Sequence, residues 1–326
     1  MNSKAIRVHE NGGPEVLKWE DVSVPEPGPG EARVRHTAIG LNFVEIYFRM
    51  GLYPPPHLPY TPGTEAAGVV EAVGPDVTEV RVGDRVAYCG GPFGAYSEVR
   101  VMPAKFLVPL PEGIDEATAA ASMLKGLTSQ YLLFSTYQVK RGETILVHAA
   151  AGGVGLILCQ WAKHLGATVI GTVGSEDKAR LAAQHGCDQT ILYHKEDFVA
   201  RVRELTGGKG VPVVYDSVGQ ATFMGSLDCL QPRGLMVSYG QASGVVPPFN
   251  VGILSAKGSL YLTRPTLVTY VAERDELLGR ARALFDVLTR GIVRCEVRQR
   301  FKLKDAAEAH RALAGRQTTG SSLLIP

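Results

Sequence analysis

The chain has 326 residues, of which 45% are hydrophobic and 20% are charged. That composition is ordinary for a globular protein with room for two domains, and it excludes a disordered chain, a collagen and a coiled coil. Lys and Arg total 34 against 32 Asp and Glu, so a net charge of +2 provides no general attraction to nucleic acid or to an anionic membrane.

The five cysteines are scattered and include no Cys-x-x-Cys pair, so neither a disulfide framework nor a structural zinc site is expected. The first ten residues lack the apolar stretch of a signal peptide. No run approaches the roughly 20 apolar residues that span a bilayer. We therefore expect a cytoplasmic protein with no membrane partner.

The first part of the chain is predicted to be β-rich. Residues 32–37 alternate small or apolar with polar side chains, and residues 66–73 and 84–88 are short apolar-rich runs closed by glycine. Strands punctuated by Gly and Pro in this way are typical of a compact antiparallel barrel or sandwich.

The pattern changes near Asp115, a predicted N-cap, where residues 115–137 indicate a helix that is broken at Gly126. Apolar strands then alternate with helices that end at glycine. The predicted strands are 145–149, 168–173, 190–193, 213–215, 235–239 and 259–262, and the helices between them are 154–165, 176–185, 198–205 and 222–230. This alternation indicates a parallel sheet covered by helices on both faces.

The sequence thus predicts an α/β fold in three segments. Residues 1–125 form a β-rich domain, and residues 126–265 form a doubly wound Rossmann domain that binds a nucleotide. Residues 266–326 are too few for a domain of their own and are expected to return and complete the first one.

The strongest local motif is the loop Ala149–Gly155, which follows a predicted strand and opens a helix. Gly152 allows the backbone to approach a pyrophosphate, and Gly155 allows close packing of helix on strand. Ala150 occupies the first of the three glycine positions of the motif. A tight turn that binds nothing is the alternative, and the surrounding alternation favours nucleotide binding.

The end of the second strand favours NADP(H) over NAD(H). It carries Gly174 and Ser175 and lacks the carboxylate that bonds the ribose 2′-hydroxyl in NAD sites. Lys178 follows one helical turn later, and Tyr193 ends the third strand. The two acidic residues after Ser175 are expected in the first helical turn, where acids complement the helix dipole.

Three other residues carry narrower predictions. Asp216 follows the fourth strand, at the end where ligands bind, and the equal alternative is that it caps the next helix and does nothing else. His148 lies on the strand before the glycine loop and is predicted to be a satisfied core residue rather than a catalytic one. The cysteines at 159 and 229 are predicted to lie in helix interiors and to be inert.

Five segments together resemble one known family. They are Gly40–Tyr47, Gly63–Gly68, Ala149–Gly155, Asp216–Gly219 and Thr319–Pro326. The chain resembles, over its whole length, the zinc-free quinone oxidoreductases of the zeta-crystallin type in the medium-chain dehydrogenase/reductase superfamily, and among them the bacterial NADPH:quinone reductases. The resemblance implies that the β-rich segment is a GroES-like catalytic domain.

The chain departs from the zinc alcohol dehydrogenases of that superfamily at their metal ligands. Asn42 stands near the position of an early Cys ligand, and Thr64 replaces the His of a Gly-His-Glu motif. Neither is a usual zinc ligand. The four-Cys lobe that those enzymes carry after residue 90 is also absent, since only Cys89 lies near that position. We therefore expect no metal, and an acceptor that is already electron-poor.

The resemblance also implies site residues. They are Asn42 and Tyr47 at the nicotinamide, Gly152, Gly153, Val154 and Gly155 at the pyrophosphate, Ser175, Lys178 and Tyr193 at the 2′-phosphate, Ser217, Gly240, Leu262 and Arg264 at the adenosine and nicotinamide edges, and Arg316 closing over the cofactor.

The leading hypothesis is metal-free electron transfer from NADPH to a quinone, with one-electron and hydride transfer left open. The alternative is reduction of an activated C=C bond, with Tyr47 or Tyr53 donating a proton. An RNA-binding or structural crystallin-like role is disfavoured by the balanced charge and the lack of a basic stripe. Family analogy implies a homodimer formed through a sheet edge near residues 235–262.

Overall fold

The computed structural model describes residues 1–55 and 57–326. Its strands are β1 (Asn2–Val8), β2 (Leu17–Ser23), β3 (Glu31–Leu41), β4 (Glu65–Val73), β5 (Arg85–Cys89), β6 (Val99–Pro103), β7 (Val108–Pro109), β8 (Thr144–Val147), β9 (Thr168–Val173), β10 (Gln189–Leu192), β11 (Val211–Asp216), β12 (Leu230–Ser238), β13 (Tyr261–Thr263), β14 (Val297–Lys302) and β15 (Ser321–Ile325). Its α-helices are α1 (Phe43–Arg49), α2 (Glu116–Tyr131), α3 (Gly153–His164), α4 (Glu176–Gln184), α5 (Phe198–Leu205), α6 (Phe223–Cys229), α7 (Gly252–Ala256), α8 (Leu267–Tyr270), α9 (Arg274–Thr289) and α10 (Ala306–Ala314).

The chain divides into two compact units. The first comprises Met1–Leu127, Tyr270–Arg290 and Cys295–Pro326, and the second comprises Thr128–Thr269 and Gly291–Arg294. None of the described helices is long and apolar enough to cross a bilayer.

The first unit is built on a mainly antiparallel sheet with the strand order β14-β15-β3-β4-β5-β7, in which β6 also pairs with β3. Along β3 the residues from Ala32 to Ala38 alternate between buried and more exposed positions, as the period-2 pattern predicts. The strand β15 pairs with β3 from the far end of the chain, with Ser322 opposite Leu41.

The second unit contains a parallel six-stranded sheet with the order β10-β9-β8-β11-β12-β13. This confirms the predicted doubly wound sheet. The order reverses between β8 and β11, and ligands of such sheets bind beyond the carboxyl ends of the strands at this reversal. The loop after β8 is the glycine loop singled out in the sequence.

Two local predictions are wrong. Helix α2 runs without a break from Glu116 to Tyr131, through Gly126. A Cβ on residue 126 would come within 2.4 Å of the Leu284 side chain, so this glycine permits α9 to pack closely instead of ending α2. Cys229 is the last residue of α6 rather than an interior one, because Leu230 already begins β12.

Candidate functional site

The glycine loop of the second unit makes a tight connection from β8 to α3. Ala149 has a φ of 53°, a left-handed conformation that few non-glycine residues adopt and that is common in functional turns. A Cβ on residue 155 would lie 2.4 Å from the Ala149 carbonyl oxygen and 2.7 Å from that of Ala150. Gly155 is therefore required by the close contact of helix and loop, as the sequence predicted.

Gly152 has a different role in the same loop. It is the N-cap of α3, in extended backbone, and no side chain caps the helix. Among the described atoms, a Cβ on residue 152 would come within 4 Å of only the Ala149 carbonyl oxygen, at 3.1 Å. A side chain there would require the Ala149 carbonyl to move by a few tenths of an ångström, a smaller change than residue 155 would need. The first N–H groups of α3 have no acceptor within the helix and are suited to an anionic group.

The residues predicted to surround a 2′-phosphate lie together after β9 and β10. Ser175 is the N-cap of α4, and its hydroxyl oxygen accepts the Lys178 N–H at 3.3 Å. The Tyr193 hydroxyl lies so near the backbone of Gly174 that a Cβ on that glycine would be 2.9 Å from it. The two strand ends thus bring a lysine and two hydroxyls to one corner of the sheet.

The acidic residues next to that corner have other partners. Glu176 and Asp177 lie in the first turn of α4, as predicted. The Glu176 carboxylate is 3.0 Å from the Lys195 Nζ, and Asp177 pairs with Arg180. Neither carboxylate stands at the strand end where an NAD site needs one, and this is the electrostatic condition under which a 2′-phosphate fits.

The ends of β11 and β12 adjoin closely. A Cβ on residue 240 would come within 2.6 Å of the Ser217 carbonyl oxygen, so Gly240 is required for this approach. The Arg264 Nη1 donates to the Ser238 carbonyl oxygen at 2.8 Å. Leu262 pairs with Met236 across β12 and β13 and packs against the apolar core of the unit.

Asp216 organises the turn after β11. Its Oδ1 accepts the N–H groups of Val218 and Gly219, and its Oδ2 accepts the hydroxyls of Thr222 and Ser226. The carboxylate organises the turn that leads into α6 but accepts no N–H of that helix, whose N-cap is Thr222, so the interpretation of Asp216 as the helix cap is wrong.

His148 belongs to the same buried network. Its ring lies 2.8 Å from the Thr172 Oγ1 and 2.9 Å from the Ser226 Oγ, and the residue is fully buried. Burial lowers the pKa of His148, and the Asp216 charge opposes that shift. The prediction of a satisfied core histidine is confirmed.

In the first unit, Asn42 caps α1 and joins a buried polar cluster. Its N–H donates to the Glu45 Oε2 at 2.8 Å, and its side-chain Nδ2 donates to the Glu65 Oε2 at 2.8 Å. The Lys125 Nζ lies 3.3 Å from the same Glu65 oxygen, and the Leu124 N–H donates to the other one at 2.6 Å. We call Asn42, Glu45, Glu65 and Lys125 the Asn42 cluster.

Burial gives the Asn42 cluster unusual electrostatics. Glu65 is fully buried, and Glu45 and Lys125 are 1% and 5% exposed. Burial raises the pKa of Glu45 to about 8, the Glu65 charge adds to the rise, and Lys125 opposes it. The raised pKa favours the neutral acid form of Glu45 near pH 7.

Tyr47 and Tyr53 lie together beside α1. Their rings meet edge to face with centroids 5.3 Å apart, and the Tyr53 N–H donates to the Tyr47 carbonyl oxygen at 3.2 Å. Both residues are partly exposed. The structure therefore places the two candidate proton donors in contact.

Arg316, the last predicted residue, follows α10 in the first unit. It has a φ of 57° and an exposed side chain. Within the second unit the predicted residues Gly152–Gly155, Ser175, Lys178, Tyr193, Ser217 and Gly240 all follow the carboxyl ends of neighbouring strands. Asn42 and Tyr47 share α1 and its cap in the first unit.

The sequence analysis missed Glu45 and Lys125. Lys125 stands in a segment whose neighbours are almost all Ala, Leu, Met or Gly, and a charge in such a run was the available signal. Glu45 is the N3 residue of the capping box that Asn42 begins, a pattern that could also have been read.

The donors near Asn42 do not fit a zinc ion. The Asn42 amide nitrogen donates to Glu65, and Thr64 offers a hydroxyl where a zinc dehydrogenase has an imidazole. Among the residues that the structure describes, no three His, Cys, Asp or Glu side chains are grouped so as to hold a metal ion.

Two family profiles match this arrangement. The profile described as "Alcohol dehydrogenase GroES-like domain" matches residues 28–112, and "Zinc-binding dehydrogenase" matches residues 153–273. Together with the Rossmann-type sheet, they place the chain in the medium-chain dehydrogenase/reductase class.

Individual relatives narrow that class. The chain is 59% identical to a quinone oxidoreductase of Pseudomonas aeruginosa over 99% of this chain and all of the relative. It is 50% identical to a 2-haloacrylate reductase of a Burkholderia species, over 99% of this chain and 98% of that one. The crystal structure of Escherichia coli quinone oxidoreductase complexed with NADPH matches with a TM-score of 0.98 and 52% identity, covering 99% of this chain and all of that one. The chain belongs to the quinone oxidoreductase family.

Proposed function

We propose that this chain is a metal-free, NADPH-dependent reductase whose acceptor is a quinone. The observation that carries the proposal is the corner formed by Gly174, Ser175, Lys178 and Tyr193, where the nearby carboxylates are paired elsewhere. Family membership supplies the acceptor class, since the relatives named quinone oxidoreductase align over nearly the whole chain.

Each segment has a part in holding the cofactor. The N–H groups that begin α3 would hold the pyrophosphate, and Gly152 would leave room for it. The Lys178 ammonium and the Tyr193 hydroxyl would bind the 2′-phosphate, and the Ser175 O–H would donate to it while the Ser175 oxygen accepts from α4. Ser217, Gly240, Leu262 and Arg264 would bind the remaining edges of the cofactor, and Arg316 would be a further cofactor-binding residue.

The first unit prepares the reacting end. Asn42, whose side chain is held by Glu65, would bind at the nicotinamide together with Tyr47. NADPH, when bound, supplies the reducing equivalents from its nicotinamide ring. The protein positions that ring and the acceptor and excludes water, and no nucleophile is needed.

The side chains at the positions of the zinc ligands restrict which acceptors can be reduced. The Asn42 and Thr64 side chains do not provide a Lewis acid to polarise a simple carbonyl. A quinone accepts electrons without such help. The test is oxidation of NADPH in the presence of a panel of 1,2- and 1,4-quinones. Turnover is expected with members of the panel, and no turnover with any of them would overturn the proposal.

A second candidate, reduction of an activated C=C bond, is favoured by the tyrosine pair and by the 2-haloacrylate reductase relative. In this reaction Tyr47 or Tyr53 protonates the carbon that does not receive hydride. Tyr47→Phe and Tyr53→Phe test it. Loss of alkene reduction with intact NADPH binding in either variant supports the acid role, and full activity in both contradicts it.

We also propose a cytoplasmic homodimer formed through the edge of the second sheet near residues 235–262. β13 is the edge strand of that sheet, and its Tyr261 side chain is 63% exposed. An exposed strand edge with an aromatic side chain is suited to pairing with a second copy. Sedimentation as a monomer at micromolar concentration would contradict the dimer.

A further inference from the structure

The Asn42 cluster contains a buried ion pair. The Glu65 and Lys125 side chains are 0% and 6% exposed, and the Lys125 Nζ lies 3.3 Å from the Glu65 Oε2. The Asn42 Nδ2 donates to that same oxygen at 2.8 Å. The lysine ammonium and the asparagine amide therefore converge on one atom.

Such a pair has no strong reason to exist for stability alone. Removing two charges from water costs several kcal/mol per ion, and apolar residues of similar volume often stabilise a core as well or better. No other charged residue stands in α2 after Glu116, and Met123, Leu124 and Leu127 lie beside the lysine in the sequence. A positive charge kept in this setting points to a use for the charge.

We propose that the Lys125 ammonium stabilises the negative charge that develops on the electron acceptor. The inference rests on the proposed function and adds a residue to it. Transfer of either one electron or a hydride to a neutral quinone leaves one negative charge on the acceptor, until a proton from water neutralises it. A fixed cation near the reacting end lowers the energy of that charged state.

The position of Lys125 within the first unit supports this role. Asn42 is the residue proposed to face the nicotinamide, and the acceptor must meet the nicotinamide to be reduced. Lys125 and Asn42 both donate to the same carboxylate oxygen of Glu65. Among the described residues, no group of side chains beside them could hold a metal ion. Glu65 holds both nitrogens in place and offsets part of the ammonium charge.

Two variants distinguish the effect of the Lys125 charge on the rate from the structural effect of the Glu65–Lys125 ion pair. The decisive comparison is between Glu65→Gln and the double variant Glu65→Gln/Lys125→Met. Gln keeps one acceptor oxygen and loses the other, so one of the Asn42 and Leu124 donors is left unpaired in both proteins, which then differ only at residue 125. The double variant also leaves no unpaired buried charge, so its folding is not penalised by one.

The measurement is kcat/KM for quinones of graded reduction potential at pH 6, together with the Kd for NADPH and the melting temperature. The double variant is expected to be about 10- to 100-fold slower than Glu65→Gln, since single electrostatic donors contribute at this scale or above. The deficit should grow for weaker acceptors, whose transition states carry more charge, while the Kd for NADPH stays within about 2-fold. Lys18→Met, an exposed lysine of β2, serves as the charge control and should match the wild type.

Three results would overturn the proposal: equal rates in the two variants, a deficit that is the same for every acceptor, or a deficit explained by lost NADPH affinity. If Glu65→Gln does not fold, the double variant is compared with the wild type instead, since neither of these two proteins holds an unpaired buried charge, and the same outcomes decide. Failure of the proposed function is distinguishable, because the wild-type chain itself would then reduce no quinone.

Discussion

The Tyr193 hydroxyl lies against the backbone of Gly174, so close that a Cβ on that glycine would be 2.9 Å from the oxygen. The contact joins the ends of β9 and β10. A side chain on residue 174 would require the Tyr193 ring to move. The proposed preference for NADPH rests on this strand end, which lacks the carboxylate of an NAD site, and on the lysine one turn into α4.

The first prediction concerns Lys178. Replacing it with Ala removes a charge-assisted contact to the 2′-phosphate, which is worth about 1.5–3 kcal/mol, or about 10- to 100-fold in affinity. The Kd for NADPH is expected to rise by that factor, and the Kd for NADH to stay within about 2-fold. Lys209→Ala is the control, since that lysine is exposed in the loop before β11. Equal losses for both cofactors would contradict the assignment.

Alanine substitutions of the two loop glycines are predicted to have different effects, one on stability and the other on NADPH binding. Gly155→Ala forces a Cβ to 2.4 Å from the Ala149 carbonyl oxygen, so the helix must shift at a cost of about 1–3 kcal/mol. Gly152→Ala meets its nearest atom at 3.1 Å and should change the free energy of unfolding by less than about 1 kcal/mol, while weakening NADPH binding. Chemical denaturation and isothermal titration measure the two effects. Loss of stability in Gly152→Ala, with unchanged NADPH binding, would reverse the assignment of roles.

Two buried histidines predict acid sensitivity. Burial lowers the pKa of His36 and of His310 to about 3, helped by Arg100 for the former and Arg49 for the latter. The unfolded chain takes up these protons near pH 6.5 and the folded chain does not, so stability is full above that pH. As the pH falls from about 6.5 towards 3, the free energy of unfolding should drop by about 1.4 kcal/mol per pH unit for each histidine.

A histidine variant tests that slope. His310 accepts from the Arg49 Nη1 and contacts the Tyr96 hydroxyl, and Gln can satisfy both groups. His310→Gln should reduce the slope of the free energy of unfolding against pH by the contribution of one histidine, about 1.4 kcal/mol per pH unit. His9→Gln, whose side chain is 53% exposed, should leave it unchanged. Identical slopes in wild type and His310→Gln would show that His310 is protonated in the folded chain.

Glu45 predicts the opposite pH dependence. Its pKa is raised to about 8 by burial first and by Glu65 second, so the folded chain holds a proton that the unfolded chain releases near pH 4.5. Stability from this group is present at low pH and is lost at about 1.4 kcal/mol per pH unit between pH 4.5 and 8. The stability of Glu45→Gln relative to the wild type should therefore improve as the pH rises from 5 to 9. A difference that does not vary with pH would contradict the raised pKa.

The parts of the site that follow from backbone geometry could be predicted from the sequence. Gly155 is determined by the strand-loop-helix pattern around it, and the structure gives it the expected contact. Gly126 was misread because a glycine inside a helix signals a break only when no neighbouring helix fills the space, and here Leu284 does. Local patterns could have drawn attention to Lys125 and Glu45, but their pairing around Glu65 depends on contacts between distant segments, which local patterns do not record.

The account's central claim is tested most directly by the ratio of kcat/KM for NADPH to that for NADH, measured with one quinone that turns over. The account predicts quinone-dependent oxidation of NADPH and a ratio of at least about 10, because the 2′-phosphate adds one charged hydrogen bond or more at Lys178. A ratio near one, or oxidation of neither cofactor in the presence of any quinone, would contradict it.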